Sequence, residues 1–333
     1  MVSAKWQMIL VFMASSALAV NTAPLYPSAI QKSTSYQQAV SELQEAQSSL
    51  NRTQSDPIAL KPELLSAKQR LDMAQSSLVS QGLQVRQALF ADLQNLEVLQ
   101  NQQETQSLSL QVAQLNAQAA RAKFKAGAAT QLDLNKAEND LEGAEKDLQA
   151  TKKQLQDAQE RFKKRYGKTP DLTGDENIKW TSEALQKAME NHPKLLKDAA
   201  ALENAELQYL IKSSDLSPSI EVQQAKNTLD NAKGTLAETR KELQEGLEDA
   251  LNQHQSAVDA LTAREKALKL AQSSYSTQNS RFQKGLISKL QLLQAELEVK
   301  NAEGAVLQAR NNLGKAAYGV LVAANHFPWQ EGQ

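Results

Sequence analysis

Apolar residues recur along this chain at intervals of three and four, the spacing of one face of an α-helix. Leu89, Leu93, Leu96 and Leu99 keep that spacing, as do Leu108, Val112, Leu115 and Ala119. Further on, Leu134, Ala137, Leu141, Ala144, Leu148, Leu155 and Ala158 alternate threes, fours and a seven. Many of these seam residues are no larger than alanine, which permits close, coiled-coil-like approach of helices. The intervening positions are mostly Gln, Asn, Ser, Lys and Glu. A helix so long and so polar is either a solitary rod or a stave in a hollow assembly wetted on both sides, and periodicity alone favours the plain rod.

Prolines mark the breaks. They stand at 24, 27, 57, 62, 170, 193, 218 and 328, and none falls between Pro62 and Pro170 or between Pro218 and Pro328. The pattern therefore predicts helices over about 28–54, 64–125, 130–166, 180–213, 222–283 and 288–323, with Pro193 at a helix start or a kink. At about 1.5 Å per residue the second and fifth are each roughly 90 Å long, and the others are about half that or less.

The pattern also repeats. Ala67-Lys68-Gln69-Arg70-Leu71-Asp72-Met73-Ala74 corresponds to Ala225-Lys226-Asn227-Thr228-Leu229-Asp230-Asn231-Ala232, an offset of 158. The same offset relates Leu93 to Leu251, Phe124 to Phe282, Gly127 to Gly285, Ala137-Glu138 to Ala295-Glu296 and Leu155 to Leu313. Upstream, Leu43 and Ala46 match Leu202 and Ala205 at an offset one larger, and Ala29-Ile30-Gln31-Lys32 resembles Ala184-Leu185-Gln186-Lys187. Chance does not hold register over so long a stretch, so the chain reads as a tandem duplication. The expected organisation is a leader over 1–19, a first helical repeat over 20–167, a second over 168–323, and a tail over 324–333.

Composition narrows the class. Of 333 residues, 41% are hydrophobic, 23% charged and only 5% aromatic, the profile of long helices with modest seams. The net charge is -1 and the basic residues are dispersed, so nucleic acid is not an expected partner. The one dense basic run, Arg161-Phe162-Lys163-Lys164-Arg165, precedes Gly167, where cations complement a helix C-terminus. No cysteine is present, which removes disulfides, thiol catalysis and thiolate metal sites. A cysteine-linked lipid anchor is removed with them.

At the amino terminus, Lys5 precedes an apolar run of about a dozen residues and the small-residue motif Ala17-Leu18-Ala19, which predicts a secretory signal cut after Ala19. No later segment offers about 18 uninterrupted apolar residues, so no membrane-spanning helix is expected after cleavage. The protein is expected to be exported and to be soluble outside the cytoplasm.

Two turns interrupt the long helices at equivalent places. In "KFKAGAATQLDL", Gly127 supplies the left-handed conformation that ends one helix, and Thr130 caps the next through its hydroxyl. Gly285 and Ser288 repeat the arrangement in "RFQKGLISKLQL". As local chemistry these are ordinary helical hairpins.

Their wider setting resembles a family. An aromatic residue, Gly, Ser/Thr and then alternating aliphatics and Ala, duplicated in tandem, is similar to the TolC-like outer membrane efflux proteins. The residues are Phe124, Gly127, Thr130, Leu132, Leu134 and Ala137, and again Phe282, Gly285, Ser288, Leu290, Leu292 and Ala295. Residues 178–220, with "ENHP" and a closing "SP", resemble the start of that family's repeat. The resemblance implies an all-α, coiled-coil α-barrel fold and a homotrimer. It further implies a tip that docks a periplasmic adaptor (membrane fusion) protein, which in turn meets an inner-membrane transporter. The docking residues it implies are Gly127, Ala128, Thr130, Gly285, Leu286 and Ser288, with Leu286 as an apolar knob and Ala128 its reduced counterpart. Tip or lumen polar residues would be Asp133, Lys136, Gln291 and Gln294, so the acidic residues common after the second Gly in that family are replaced by glutamine here.

One departure is large. The family inserts two strands per repeat that close a membrane β-barrel, and the matching places here are 51–66 and roughly 211–224. Two spanning strands of about 9–11 residues do not fit in such short, proline-bearing stretches, so no β-barrel is expected. The function implied is a duct component of an export or efflux system. The alternative is a non-conducting coiled-coil scaffold or tether in the envelope.

Enzymatic chemistry finds no foothold. His192, His254 and His326 are widely separated and read as solvated or structural, and no phosphate loop, nucleophile elbow or paired carboxylates stand out. No catalytic residue, cofactor or metal is expected. Trp180 and the tail residues Phe327 and Trp329 read as local packing or a terminal plug, with a docking peptide as the alternative.

Overall fold

The computed structural model describes residues 14–18, 20–172, 176–213 and 217–330. Eight α-helices are described: α1 (Tyr26–Lys32), α2 (Thr34–Ser55), α3 (Lys61–Lys125), α4 (Gln131–Tyr166), α5 (Ser182–Glu190), α6 (Pro193–Lys212), α7 (Ser219–Gln283) and α8 (Lys289–Ala324). Two short strands, β1 (Ala14–Leu18) and β2 (Glu176–Trp180), pair antiparallel, with Ser16 opposite Ile178.

The duplication is visible in the lengths. Helices α3 and α7 each have 65 residues, and α4 and α8 each have 36. At about 1.5 Å per residue the long pair spans roughly 100 Å. Even the stops correspond: Gly167 ends α4 at φ 73° and Asn325 ends α8 at φ 51°, both left-handed. Asn is the residue after Gly that best tolerates this conformation.

The helices form a single row. In the half nearer the 126–130 and 284–288 turns, α4 packs on α3, α3 on α8, and α8 on α7; in the other half, α2 packs on α3, α3 on α6, and α6 on α7. Buried residues are frequent along α3 and α8, the inner lanes. Along α7 only Ala225, Leu229, Leu247 and His254 are buried, and along α4 none before Leu148. Helices α4 and α7 are thus edges.

The core is a girdle at mid-height of the long helices. There the C-terminal ends of α4 and α8 meet the strand β2, helices α1 and α5 and the chain's two terminal segments. Phe90 packs on Tyr318, Phe162 on Tyr166, and Tyr26 on Phe327, which meets Trp329 edge-on. Arg86, only 3% exposed, donates from Nε to Thr22 Oγ1 at 2.8 Å and lies 3.5 Å over the Trp329 ring. Gly82 permits this closeness, because a Cβ there would sit 3.0 Å from the Tyr26 hydroxyl. The tail residues Phe327 and Trp329 are therefore packed into the girdle.

Several sequence expectations are refined. The helix expected over 28–54 is two, divided at Ser33, whose hydroxyl caps α2 by accepting from the Tyr36 N–H. The helix expected over 180–213 also divides. Pro193 begins α6, His192 Nδ1 accepts from the Lys194 N–H as its cap, and β2 precedes α5. The repeat offset changes by four residues across these breaks, from Lys32/Lys187 to Leu43/Leu202, and by one, in the opposite sense, between Ala46/Ala205 and Ala67/Ala225. The two-stranded sheet was not foreseen, and β1 lies inside the expected leader; residue 19, the expected cleavage position, lies outside the described residues. Only five residues separate Ser55 from Lys61 and six separate Lys212 from Ser219, too few for paired spanning strands.

Candidate docking tip and lateral faces

Each tip is built by the same hydrogen bonds. After α3, the Ala128 N–H donates to the Lys123 carbonyl at 2.8 Å and the Gly127 N–H to Phe124 at 2.9 Å; after α7, Leu286 donates to Arg281 at 2.9 Å and Gly285 to Phe282 at 2.8 Å. These are Schellman motifs, which satisfy the last carbonyls of each helix and require a left-handed residue. Gly127 at φ 73° and Gly285 at φ 71° meet that requirement, and no atom lies within 4 Å of where a Cβ would stand. The glycines serve backbone conformation, and the space around them is open.

The next helices are closed by capping boxes. Thr130 Oγ1 accepts from the Asp133 N–H at 3.1 Å, while Asp133 Oδ2 accepts from the Thr130 N–H at 2.9 Å and its hydroxyl at 2.7 Å. Ser288 and Gln291 repeat the exchange at 3.3 and 2.9 Å. Asp133 and Gln291 are thus engaged within their own turns, whereas Lys136 and Gln294 are exposed one helical turn further on. The Thr130 hydroxyl, then its N–H, then the Lys136 charge hold the Asp133 carboxyl below its ordinary value of 3.8.

The tip surface is unusually apolar for so polar a protein. Leu286 is 65% exposed and Leu132 77%, and Phe124 is also exposed. A Schellman residue at the Leu286 position commonly packs back on its own helix, but here it faces solvent. Ala128 is its small counterpart. At the opposite end of the row, Ile58 and Leu60 between α2 and α3, Leu210 and Ile211 in the last turn of α6, and Ile220 in the first turn of α7 are exposed.

The histidines are structural. His192 caps α6, and burial, followed by the Lys194 charge, lowers its pKa from 6.5; His254 lies edge-on to Trp180 at 5.0 Å, and burial lowers it likewise. His326 is buried where α8 ends, its N–H donating to the Leu321 carbonyl. Sequence reasoning did not single out Arg86 or Asn325, which tie the girdle together. A glycine inside a long helix, Gly82, was the available signal.

Residues 220–325, covering α7 and α8, match the family model described as outer membrane efflux protein. That match spans 106 of the 333 residues and makes the second repeat similar to this family. The whole row of helices also matches solved channels: CusC at 14% identity and TM-score 0.64, covering 92% of this chain and 95% of that one; VceC of Vibrio cholerae at 15% and 0.60, covering 91% and 96%; and the CmeC outer membrane channel of Campylobacter jejuni at 12% and 0.60, covering 94% and 89%. At such identities the likeness is one of fold. No protein with a curated description matches the chain in sequence. The resemblance to TolC-like efflux proteins and the all-α coiled-coil fold are therefore borne out.

Proposed function

We propose that this chain forms a helical duct in an export system, three copies closing into a ring of staves, with the two tips docking a periplasmic adaptor linked to an inner-membrane transporter. The observation that carries the proposal is the pair of equivalent tips at one end of a row whose two lateral edges are open. A row with unpartnered edges invites lateral closure, and closure places one set of tips around one rim. Gly127, Ala128 and Thr130 with Gly285, Leu286 and Ser288 would form that rim, and Leu286 is its apolar anchor. Transport in such a duct is passive: cargo moves through water enclosed by polar helix faces, and selection occurs at docking. Export would rest on the expected leader over 1–19, whose removal would take β1 with it and leave β2 without that strand partner.

A single comparison tests the proposal. Purified protein is sized by hydrodynamic mass and imaged, then Leu286→Asp is assayed against the wild type for capture of the cognate adaptor. A hollow trimer whose adaptor binding falls at least tenfold in Leu286→Asp is expected, since truncating or charging a central apolar anchor commonly costs that much. A solid monomeric or dimeric rod would instead make the protein an envelope scaffold. A hollow trimer with undiminished capture would move docking away from the tips.

A further inference from the structure

The end of the row away from the tips has a chemistry of its own. Helices α3 and α7 begin there and α2 and α6 end there, and because α3 packs on both α2 and α6 the two connections stand side by side. Ile58 is 82% exposed, and Leu60, Leu210, Ile211 and Ile220 are exposed by 60–68%. Single apolar residues on a surface need no explanation, but five on two neighbouring connections do.

The backbone of the first connection matches its side chains. Pro57 carries no N–H, and neither does Pro62 at the start of α3. The Ile58 N–H donates to Asp56 Oδ1 at 3.0 Å, the Ala59 N–H to the Asp56 carbonyl at 3.2 Å, and the Leu60 N–H to Glu63 Oε2 at 3.0 Å. Every amide donor from 57 to 60 is therefore either absent or already used. A hydrated turn can leave its donors to water, whereas in an apolar medium each unpaired one is costly. At the end of α6, the Ser213 N–H and hydroxyl likewise donate to the Tyr209 and Leu210 carbonyls at 2.8 and 3.0 Å.

Charge and area select the kind of surface that meets this end. Among the described residues around it, Arg52, Lys61 and Lys212 are balanced by Asp56, Glu63 and Glu221. Asp56 and Glu63 are held within their own turn, and Glu221 Oε2 lies 3.7 Å from Lys212 Nζ. Such a balance attracts neither an acidic nor a basic partner. Five side chains also fall well short of the roughly 20–30 residues that each side of a stable protein interface contributes. A lipid surface needs no matching shape, and its affinity grows with each apolar side chain that enters it. Lys61 follows Leu60 and Lys212 follows Ile211, so each cation can extend back to the headgroups while its neighbour goes deeper.

We propose that this end inserts shallowly into a lipid bilayer, with Ile58, Leu60, Leu210, Ile211 and Ile220 entering the boundary between headgroups and acyl chains and Lys61 and Lys212 at the level of the phosphates. Insertion does not require the duct. A single row attaches through one such patch, and a ring would repeat it around the rim and multiply the attachment.

Flotation of the exported, purified protein with neutral phosphatidylcholine vesicles tests the insertion. Binding is expected, and it should persist in about 1 M salt because it does not rest on charge. Ile58→Glu with Ile220→Glu should weaken it by about tenfold or more, since two apolar side chains leave the inserted set. The fold should survive, because both sites are exposed and an acid in the first turn of α7 favours the helix. Leu286→Glu, at the tips, should bind as the wild type does. Ile58→Trp should be quenched by lipids brominated near the headgroup, and Leu286→Trp should not. Absence of flotation, release by salt, binding undiminished in the double variant or equal loss in Leu286→Glu overturns the insertion. So does self-association that the double variant abolishes in protein that ignores vesicles, which would make a second copy the occupant. A hollow trimer that captures its adaptor but ignores vesicles overturns the insertion and leaves the duct standing, and a vesicle-bound solid rod does the reverse.

Discussion

At the tips, one hydrogen-bond arrangement is completed by two different residues, a carboxylate at Asp133 and a neutral amide at Gln291. Only the first titrates. Asp133 is depressed by the Thr130 hydroxyl and N–H and by Lys136, so its contribution is present above the unfolded value and is lost as pH falls through the lowered folded one. The two tips should therefore separate in acid. As pH falls below the ordinary carboxyl value of 3.8, amide protection at 130–134 should fall while protection at 288–292 is kept. Asp133→Asn should abolish the difference, and tips that fray together in the wild type would show that the carboxylate does not hold the first turn. Turn-forming Gly and Thr/Ser were legible from sequence because their chemistry is local. The reciprocal partners Asp133 and Gln291 were picked out only as polar tip residues, although a Thr/Ser with an acceptor three positions on is a capping-box signal.

Helix boundaries were legible wherever a single residue dictates them, and obscure where a distant partner does. Pro62, Gly127, Gly167, Pro218 and Gly285 set ends that the pattern located to within about three residues. β2 has no such signal: five residues long, it exists through pairing with a segment about 160 positions earlier in the chain. The break at Ser33 was hidden because both flanking helices share one apolar pattern. Asn325 shows how much a boundary residue can carry beyond its backbone. At φ 51° it ends α8, its Nδ2 donates to Ser76 Oγ at 3.0 Å, and its Oδ1 accepts from the Ser80 hydroxyl at 2.8 Å. Asn325→Gly keeps the left-handed turn, as Gly167 does in the first repeat, but leaves the Ser76 and Ser80 groups without these partners. Denaturant unfolding should show a loss of about 1–3 kcal/mol. A neutral result would mean that the backbone conformation alone accounts for Asn325.

For the molecule as a whole, duplication and stave architecture could be read from periodicity, but the place where the chain is held together could not. The apolar seams run nearly the whole length of α3, whereas the buried aromatic residues gather in one girdle, from segments near both ends of the described chain and from between them. Only the fold brings Tyr26, Arg86, Tyr318 and Trp329 together, which is why a tail with two exposed-looking aromatics was open to reading as a docking peptide. Its packing makes a different prediction. Removing Trp329 takes away the ring 3.5 Å from a buried guanidinium and a neighbour of both Tyr318 and Phe327. Cation–π loss and lost aromatic packing together should cost about 2–4 kcal/mol in Trp329→Ala. The loss should be confined in space, because the tips stand some tens of ångströms away along helices with their own seams and caps. Hydrogen exchange should therefore quicken at 20–32 and 82–90 while 122–134 and 280–292 are unchanged. A docking tail would give the opposite result, full stability and unaltered exchange with loss of a bound partner, so the one variant separates a terminal plug from a recognition peptide.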